Sequence, residues 1–154
     1  MKLNFTLICI AFLTLSVVSC KKDNSSTPVK MSAVIDSKTW SPDIRLAVLQ
    51  SNVFTITASS PLTSESLVIT INGSSTGTYT LSLLSFQCAA TYTNVAVPTS
   101  SDIYASLTGN VVLTKVDKTA KLISGTFEFT LANSSVQTKS ITQGQFNDLQ
   151  YQEL

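Results

Sequence analysis

The chain has 154 residues, of which 44% are hydrophobic and 12% charged, and its formal net charge is +1. This length suits one domain, and the lack of a basic surplus argues against a nucleic-acid partner. The sequence contains no histidine, which excludes the usual Ser-His-Asp and Cys-His catalytic arrangements and histidine-containing zinc sites.

The first 19 residues have the pattern of a secretory signal peptide. Lys2 supplies a positive charge, and the stretch from Phe5 to Val18 is apolar apart from a few hydroxyl side chains. This run is shorter than the roughly 20 residues that a membrane-spanning helix requires and has the length of the apolar region of a signal peptide. We therefore predict that residues 1–19 are a signal peptide.

The apolar run ends in Val17-Val18-Ser19-Cys20, which resembles the lipobox of bacterial lipoproteins. The resemblance implies that the Cys20 thiol carries diacylglycerol with acyl chains such as palmitate, that residues 1–19 are cleaved, and that the new amino terminus is acylated. Two or more chains make membrane anchoring stable, since each buried CH₂ contributes about 0.8 kcal/mol. We expect a lipoprotein of the cell envelope, held at the outer membrane on the periplasmic or surface side. A plain signal peptide with an incidental cysteine is the alternative.

The predicted mature chain consists of a tether and one domain. Residues 20–30 contain the lipidated cysteine followed by a polar, aperiodic stretch with Pro28, which predicts a flexible tether. Residues 31–154 form the domain. Since Lys2 leaves with the signal peptide, the mature chain is neutral. Cys88 is then the one free cysteine, so no disulfide within the chain is expected, and we predict a small buried hydrophobic side chain there.

From Met31 onward the apolar residues recur with a period of two, which predicts strands with one buried face. In the first half of the domain, the alternation predicts five segments whose inward residues are Met31, Ala33 and Ile35; Ile44, Leu46 and Val48; Phe54, Ile56 and Ala58; Leu67, Ile69 and Ile71; and Tyr79, Leu81 and Leu83.

The second half of the domain continues this pattern. Short strands are predicted at Ala89 to Thr93 and Asp102 to Ser106, and Val111 to Val116 is expected to pair with Leu122 to Leu131 across a hairpin loop. Leu122 to Leu131 is the predicted central core strand. About ten short strands and no clear helical period predict an all-β fold, a single antiparallel β-sandwich, with a flattened β-barrel as the alternative.

Several short motifs together resemble a domain-of-unknown-function family of Bacteroidota lipoproteins. They are Ala33-Val34-Ile35-Asp36-Ser37-Lys38-Thr39-Trp40, Gly77-Thr78-Tyr79, Ile123-Ser124-Gly125-Thr126-Phe127-Glu128-Phe129 and Gly144-Gln145-Phe146. The resemblance covers roughly residues 31–151 and implies an all-β lipidated domain without an established activity. Ser37 stands where the family has glycine, so the first turn is expected to differ.

Candidate functional residues are few. No catalytic residue, metal site or cofactor is predicted. The five carboxylates that could pair in space, Glu65, Asp102, Asp117, Glu128 and Asp148, are expected at turns or on solvent-facing positions. Trp40, Tyr92 and Tyr104 are the predicted ligand-binding residues, because aromatic rings near loops can stack on sugars or peptides; the alternative is that they cover the edges of the core.

The predicted function is that of a non-enzymatic binding module, which presents its loops to a protein or glycan partner in the envelope. A structural envelope component that pairs through its strand edges is the alternative. The oligomeric state is left open by the sequence.

Overall fold

The computed structural model describes residues 30–154, so the predicted signal peptide, Cys20 and nearly all of the predicted tether lie outside the described residues. The all-β class is confirmed, with no helix in this part of the chain. The eleven strands are β1 (Met31–Ile35), β2 (Lys38–Trp40), β3 (Ile44–Gln50), β4 (Val53–Ser60), β5 (Glu65–Ile71), β6 (Gly77–Ser82), β7 (Ser85–Phe86), β8 (Cys88–Thr93), β9 (Tyr104–Asp117), β10 (Leu122–Ala132) and β11 (Thr138–Glu153).

Seven strands close into a barrel in the order β3-β4-β5-β8-β9-β10-β11 and back to β3. The barrel is closed by two short ladders of paired residues. Tyr92 of β8 pairs with Tyr104 of β9, and the end of β11 runs parallel to β3, with Tyr151 opposite Ala47. The preferred sandwich is therefore not confirmed, whereas the alternative barrel is. The ladder between β11 and β3 joins strands distant in sequence, which strand periodicity does not reveal.

The remaining four strands lie outside the barrel and extend two of its long strands. β1 pairs with β11, and β2 pairs with β1, while β6 pairs with β9, and β7 pairs with β6. The turn between β1 and β2 consists of Asp36 and Ser37, with φ angles of 47° and 67°. Both residues are in the left-handed region, as a two-residue type I′ hairpin turn requires, and serine adopts it less readily than glycine.

The core confirms most of the predicted inward faces. The predicted central strand, β10, is paired on both sides, with β9 and β11, and Ile123, Phe127, Phe129 and Leu131 are buried along it. The predicted hairpin that joins it to β9 is also present, with Leu122 opposite Asp117. The inward residues predicted for β1, β4 and β5 are buried as well. A single core therefore fills the barrel.

The buried face predicted for β3 is wrong. Ile44 and Leu46 are 54% and 49% exposed, whereas Ala47 and Leu49 are buried. Cross-strand partners share a face, and Ala47 lies opposite Tyr151, whose ring packs edge-on against Phe54 with 5.1 Å between centroids. Because the rings of Tyr151 and Phe54 fill the adjacent space, a small side chain is favoured at position 47. Leu83, also predicted inward, lies in the exposed turn after β6.

The strand directions define two ends of the barrel. The turns at residues 51–52, 72–76 and 118–121 lie at one end, which we call the basal end. The segments at 36–37, 61–64, 94–103 and 133–137 lie at the other, which we call the loop end. At Lys30 the chain reaches the barrel from the side of Asn147, whose N–H donates to the Lys30 carbonyl at 2.8 Å. β1 then runs away from the basal end toward the loop end, because it is antiparallel to β11.

Candidate functional site at the loop end

The loop at residues 94–103 is held against the turn at 133–137 by polar contacts. Asn133 donates from its side-chain amide to the Ser101 carbonyl at 2.6 Å, and Ser134 donates from its hydroxyl to the Ser100 carbonyl at 3.3 Å. The side-chain oxygen of Asn133 accepts the Gln137 N–H at 2.9 Å. Asn133 is buried, so its hydrogen bonds to both segments fix them relative to each other.

A cluster of aromatic and charged side chains lies beneath these loops. The rings of Tyr92 and Tyr104 are 6.4 Å apart, and the Lys139 ammonium lies 5.7 Å and 5.0 Å from their centroids, within cation–π range. Lys139 also pairs with Asp36 at 2.9 Å, and the other Asp36 oxygen accepts the Ser140 N–H. The cluster therefore connects the β1–β2 turn to β8, β9 and β11.

The surroundings shift the pKa values of two side chains in this cluster, Tyr92 and Asp36. Burial, the hydrogen bond to Glu65 and the charge of Glu65 raise the pKa of Tyr92 far above its usual range, so its phenol stays neutral and donates to Glu65 at 2.9 Å. For Asp36, partial burial alone would raise the pKa, but the hydrogen bonds from Lys139 and Ser140 and the charge of Lys139 outweigh it and lower the pKa. Thr63 donates to Glu65 at 2.6 Å and ties the loop at 61–64 to the cluster.

The predicted ligand-binding residues differ in exposure. Trp40 and Tyr92 are 4% and 3% exposed, so neither presents a ring face for stacking, and their burial matches the alternative that they cover the core. Tyr104 is partly exposed, and its hydroxyl donates to Gln137 at 3.4 Å. Tyr92 and Tyr104 meet, whereas no ring contact joins Trp40 to them within residues 30–154.

Lys139 and Asp36 were not predicted as parts of this site. They lie far apart in the sequence, and neither motif nor periodicity indicates that β1 and β11 are neighbours. Asn133 follows directly after β10, but its contacts with the loop at 94–103 depend on the closure of the barrel.

Exposed apolar side chains project from the loop end above this cluster. Leu62, Val97 and Val136 are 96%, 88% and 82% exposed, and each comes from a different loop. Val136 also has a φ of 61°, a left-handed conformation that is a genuine outlier for a β-branched residue. An exposed apolar residue in a strained backbone is favourable neither for solubility nor for the stability of the free protein.

The five carboxylates have separate partners. Glu65 accepts from Tyr92, Glu128 accepts from Asn110 at 2.7 Å, and Asp148 pairs with Lys115 at 2.9 Å. Asp102 and Asp117 accept N–H groups within their own turns. No group of three potential metal ligands exists in the part of the chain that the structure describes. Cys88 is buried as predicted, and burial raises the pKa of its thiol to about 11.

Comparison with family models gives a match over residues 27–150 to a family described as a domain of unknown function, DUF6252. The chain belongs to the DUF6252 family. The expected membership of an uncharacterised domain family is thereby confirmed. No curated protein and no solved structure matches the chain. Over residues 30–154, this DUF6252 protein has no helix long and apolar enough to cross a bilayer.

Proposed function

We propose that this DUF6252 protein is a lipoprotein of the cell envelope, anchored through lipid on Cys20 at the outer membrane, and that its loop end binds a partner protein without catalysing a reaction. The sequence Val17-Val18-Ser19-Cys20 supports the anchor, because the cysteine thiolate is a nucleophile that can attack a lipid donor. Association with Bacteroidota belongs to the same proposal and is supported by the sequence motifs alone.

The course of the chain supports the role of the loop end. The chain arrives beside Asn147, and β1 runs from there toward the loop end. Residues 20–30 connect the proposed anchor to this point. A tether that reaches the barrel beside Asn147 does not cover the loop end. The loop end is then free to face away from the membrane, where a partner has access.

The main observation in support of a binding surface at the loop end is the conformation and exposure of Val136. Its side chain is 82% exposed and its backbone has a φ of 61°, so an asparagine or glycine here would be better for the free protein. Strained residues of this kind concentrate at binding and catalytic sites. Leu62 and Val97 project from neighbouring loops, and exposed apolar groups of this kind favour a protein surface over a glycan.

The structural alternative, assembly through strand edges, has less support. In the described residues, β2 has three residues and β7 has two, and they are the free outer edges of the sheet. Edges this short offer few backbone groups for pairing with another chain. A protein surface recognised by side chains at the loop end therefore accounts better for the exposure of Leu62, Val97 and Val136.

The anchor is tested by metabolic labelling with radioactive palmitate followed by membrane fractionation. We expect the parent protein to incorporate label and to sediment with membranes, and we expect Cys20→Ala to lose both properties. Cys88→Ala is the matched control, since Cys88 is a buried core residue, and it should keep the label. Normal processing and membrane retention of Cys20→Ala would refute the anchor.

The binding surface is tested by photo-crosslinking in whole cells. A photoreactive amino acid replaces Leu62 or Val97 in separate variants, and Thr126, which lies on the exposed side of β10, in the control. We expect the same protein adduct from both loop positions and none from position 126. Equal adducts at all three positions, or binding to envelope glycans without any protein adduct, would contradict the proposal.

A further inference from the structure

The outward-facing residues of β3, β4, β5 and β8 include no charged side chain. On these strands, residues buried in the core alternate with residues that are exposed or partly exposed on the outside of the barrel. The solvated side of an antiparallel sheet is ordinarily polar, whereas depletion of charge is typical of the centre of a protein interface. We call this surface the uncharged face. Its rows, read from β3 to β8, are Ile44-Ser59-Ser66-Thr93, Leu46-Thr57-Val68-Thr91 and Val48-Thr55-Thr70-Ala89.

The two lateral edges of the uncharged face differ in shape. At the β3 edge, Ile44 and Leu46 project and are 54% and 49% exposed. At the β8 edge, a cavity of about 150 Å³ lies beneath the loop at 94–103, with Val68 and Ile103 in its lining. A cavity of about this volume can hold a benzene molecule, so it has room for one aliphatic side chain. The face therefore has a projection at one edge and a recess at the other.

A second copy of this chain matches both edges of the uncharged face. When two such faces stack, a twofold axis that runs between them, parallel to the strands and midway between β4 and β5, sets β3 of each copy over β8 of the other. Each row then meets its own copy, so Leu46 of one chain lies over the recess beside Thr91 of the other. The same patch serves both chains, as twofold symmetry requires. A twofold axis perpendicular to the strands would set β3 over β3 and leave both recesses empty.

We propose that the uncharged face forms a homodimer in which the two barrels stand side by side with their strands parallel. Stacked sheets lie about 10 Å apart, and no charge is desolvated at this contact, which avoids the main cost of burying polar surfaces. Four strands about 4.8 Å apart, with five residues that each rise about 3.4 Å, give a face of roughly 300 Å² per copy. A contact of this size makes a weak dimer that depends on protein concentration.

The parallel arrangement gives both chains the same orientation. Their basal ends point in one direction and their loop ends in the other. If the proposed anchor on Cys20 is correct, both lipids enter the same membrane, and confinement there raises the effective concentration of the two copies. The two loop ends would then bind their partner together.

The test is cross-linking of cysteine variants of the full chain, solubilised from whole cells in a maltoside detergent and purified, with a short bis-maleimide. Thr57→Cys places a thiol on β4 beside the proposed axis, whereas Thr126→Cys places one on the exposed side of β10. Cys88 is buried, and the parent chain reports any product that forms through Cys20. We expect a dimer product from Thr57→Cys and none from Thr126→Cys or the parent.

Charged substitutions test the geometry of the contact. Leu46→Glu should reduce the dimer product of Thr57→Cys about tenfold, because it places an unpaired carboxylate in the recess. Leu46→Ala, which removes the projection without adding a charge, should also reduce it. Thr130→Glu adds the same charge on the exposed side of β10 and should leave the product unchanged. Circular dichroism verifies that each variant is folded.

A rescue experiment separates contact between chains from effects within one chain. Leu46→Glu combined with Thr91→Lys should restore the dimer product, because the ammonium of one copy meets the carboxylate of the other. Within one chain the two positions are three strand spacings apart, about 14 Å, which is too far for an ion pair.

Equal products from Thr57→Cys and Thr126→Cys, no product from Thr57→Cys, or no recovery in the combined variant would overturn the dimer. A product that joins position 57 to a co-purified protein of another mass would assign the face to that protein and overturn the dimer as well. The cross-linking is measured on purified protein, so its outcome depends neither on acylation of Cys20 nor on binding at the loop end. Failure of the proposed function and failure of the dimer are therefore distinguishable.

Discussion

Single residues in unfavourable backbone conformations are the most informative feature at the residue scale. Within residues 30–154, nine residues other than glycine have a positive φ. Several of them, such as Asn52 in the two-residue turn between β3 and β4, belong to tight turns that require this geometry. Val136 differs, because a left-handed conformation is especially unfavourable for a β-branched residue such as valine. Its side chain is nevertheless exposed to solvent.

Val136→Asn is expected to raise the free energy of unfolding by about 0.5–1 kcal/mol, because asparagine tolerates the left-handed region and little buried surface is lost. Denaturant unfolding measures the change. Val97→Asn is the control, since Val97 is similarly exposed but has no left-handed backbone, and its stability should match the parent. A variant of Val136 that is no more stable than the parent would show that the residue carries no strain.

Cys88 is expected to be unreactive in the folded protein. It is buried and donates to the Tyr79 carbonyl at 3.2 Å, and burial raises the pKa of its thiol to about 11. At mildly alkaline pH the reactive thiolate is therefore scarce. Iodoacetamide labelling followed by peptide mass spectrometry should find Cys88 unmodified in native protein and modified in denaturant. Rapid modification under native conditions would contradict the burial.

At the scale of the elements, β10 packs closely against its two neighbouring strands. Gly125 pairs with Leu113 of β9 and with Phe146 of β11. A Cβ atom at position 125 would lie 2.4 Å from the Val112 carbonyl oxygen and 2.7 Å from the Phe146 ring. The backbone oxygen cannot move away without disturbing the ladder between β9 and β10.

Gly125→Ala is therefore expected to destabilise the protein by about 1–3 kcal/mol, the usual cost of overpacking a core. Thr126→Ala on the exposed side of the same strand should cost no more than about 1 kcal/mol. Comparison of the two denaturant midpoints tests this prediction. Equal midpoints would show that the strands can separate enough to admit a methyl group.

The ion pair between the β1–β2 turn and β11 predicts a dependence of stability on pH. The pKa of Asp36 is lowered in the folded protein, where burial opposes but does not outweigh the hydrogen bonds from Lys139 and Ser140 and the Lys139 charge. A carboxyl with a lowered pKa stabilises the fold above its unfolded pKa of about 3.9, and this contribution disappears as the pH falls through the folded value.

The free energy of unfolding of Asp36→Asn should accordingly fall less than that of the parent on acidification below about pH 4. Asp43→Asn is the control, because the Asp43 carboxylate forms no hydrogen bond with any residue from 30 to 154, and its profile should follow the parent. Parallel profiles for the parent and Asp36→Asn would show that the ion pair contributes nothing, as for many exposed pairs.

Sequence reasoning identified the strands far better than their arrangement. The alternation in β4, β5 and β10 determined both the strand and its buried face, because each of these strands has large apolar residues on one side. Alternation does not indicate the buried face of β3, because Leu46 and Val48 on one face compete with Ala47 and Leu49 on the other, and the packing of Phe54 against Tyr151 selects the face with Ala47. The site was only partly predictable, because its contacts, like the buried face of β3, depend on which strands become neighbours in the fold. Tyr92 and Tyr104 could be named, but their burial and their contacts with Lys139 depend on strands distant in sequence.

At the scale of the whole molecule, the barrel and its outer strands share one core, which includes Trp40 of β2. Unfolding should therefore be a single cooperative transition. Trp40 is the one tryptophan of the chain, so its fluorescence reports on the outer hairpin, while far-UV circular dichroism reports on all strands. We expect the two denaturation curves to coincide. An earlier transition in fluorescence would show that β1 and β2 detach before the barrel opens.

The position of β11 has a consequence for how the molecule is made. The last described strand pairs with β1 and β3, which are among the first. Contacts between distant parts of a chain form slowly, because a long loop must close before they are gained. On the export route that the proposed anchor requires, a polypeptide that emerges amino terminus first from a narrow translocation channel cannot complete this barrel until residues 138–153 have passed through. The passage of β11 would then set the earliest moment at which the barrel can close.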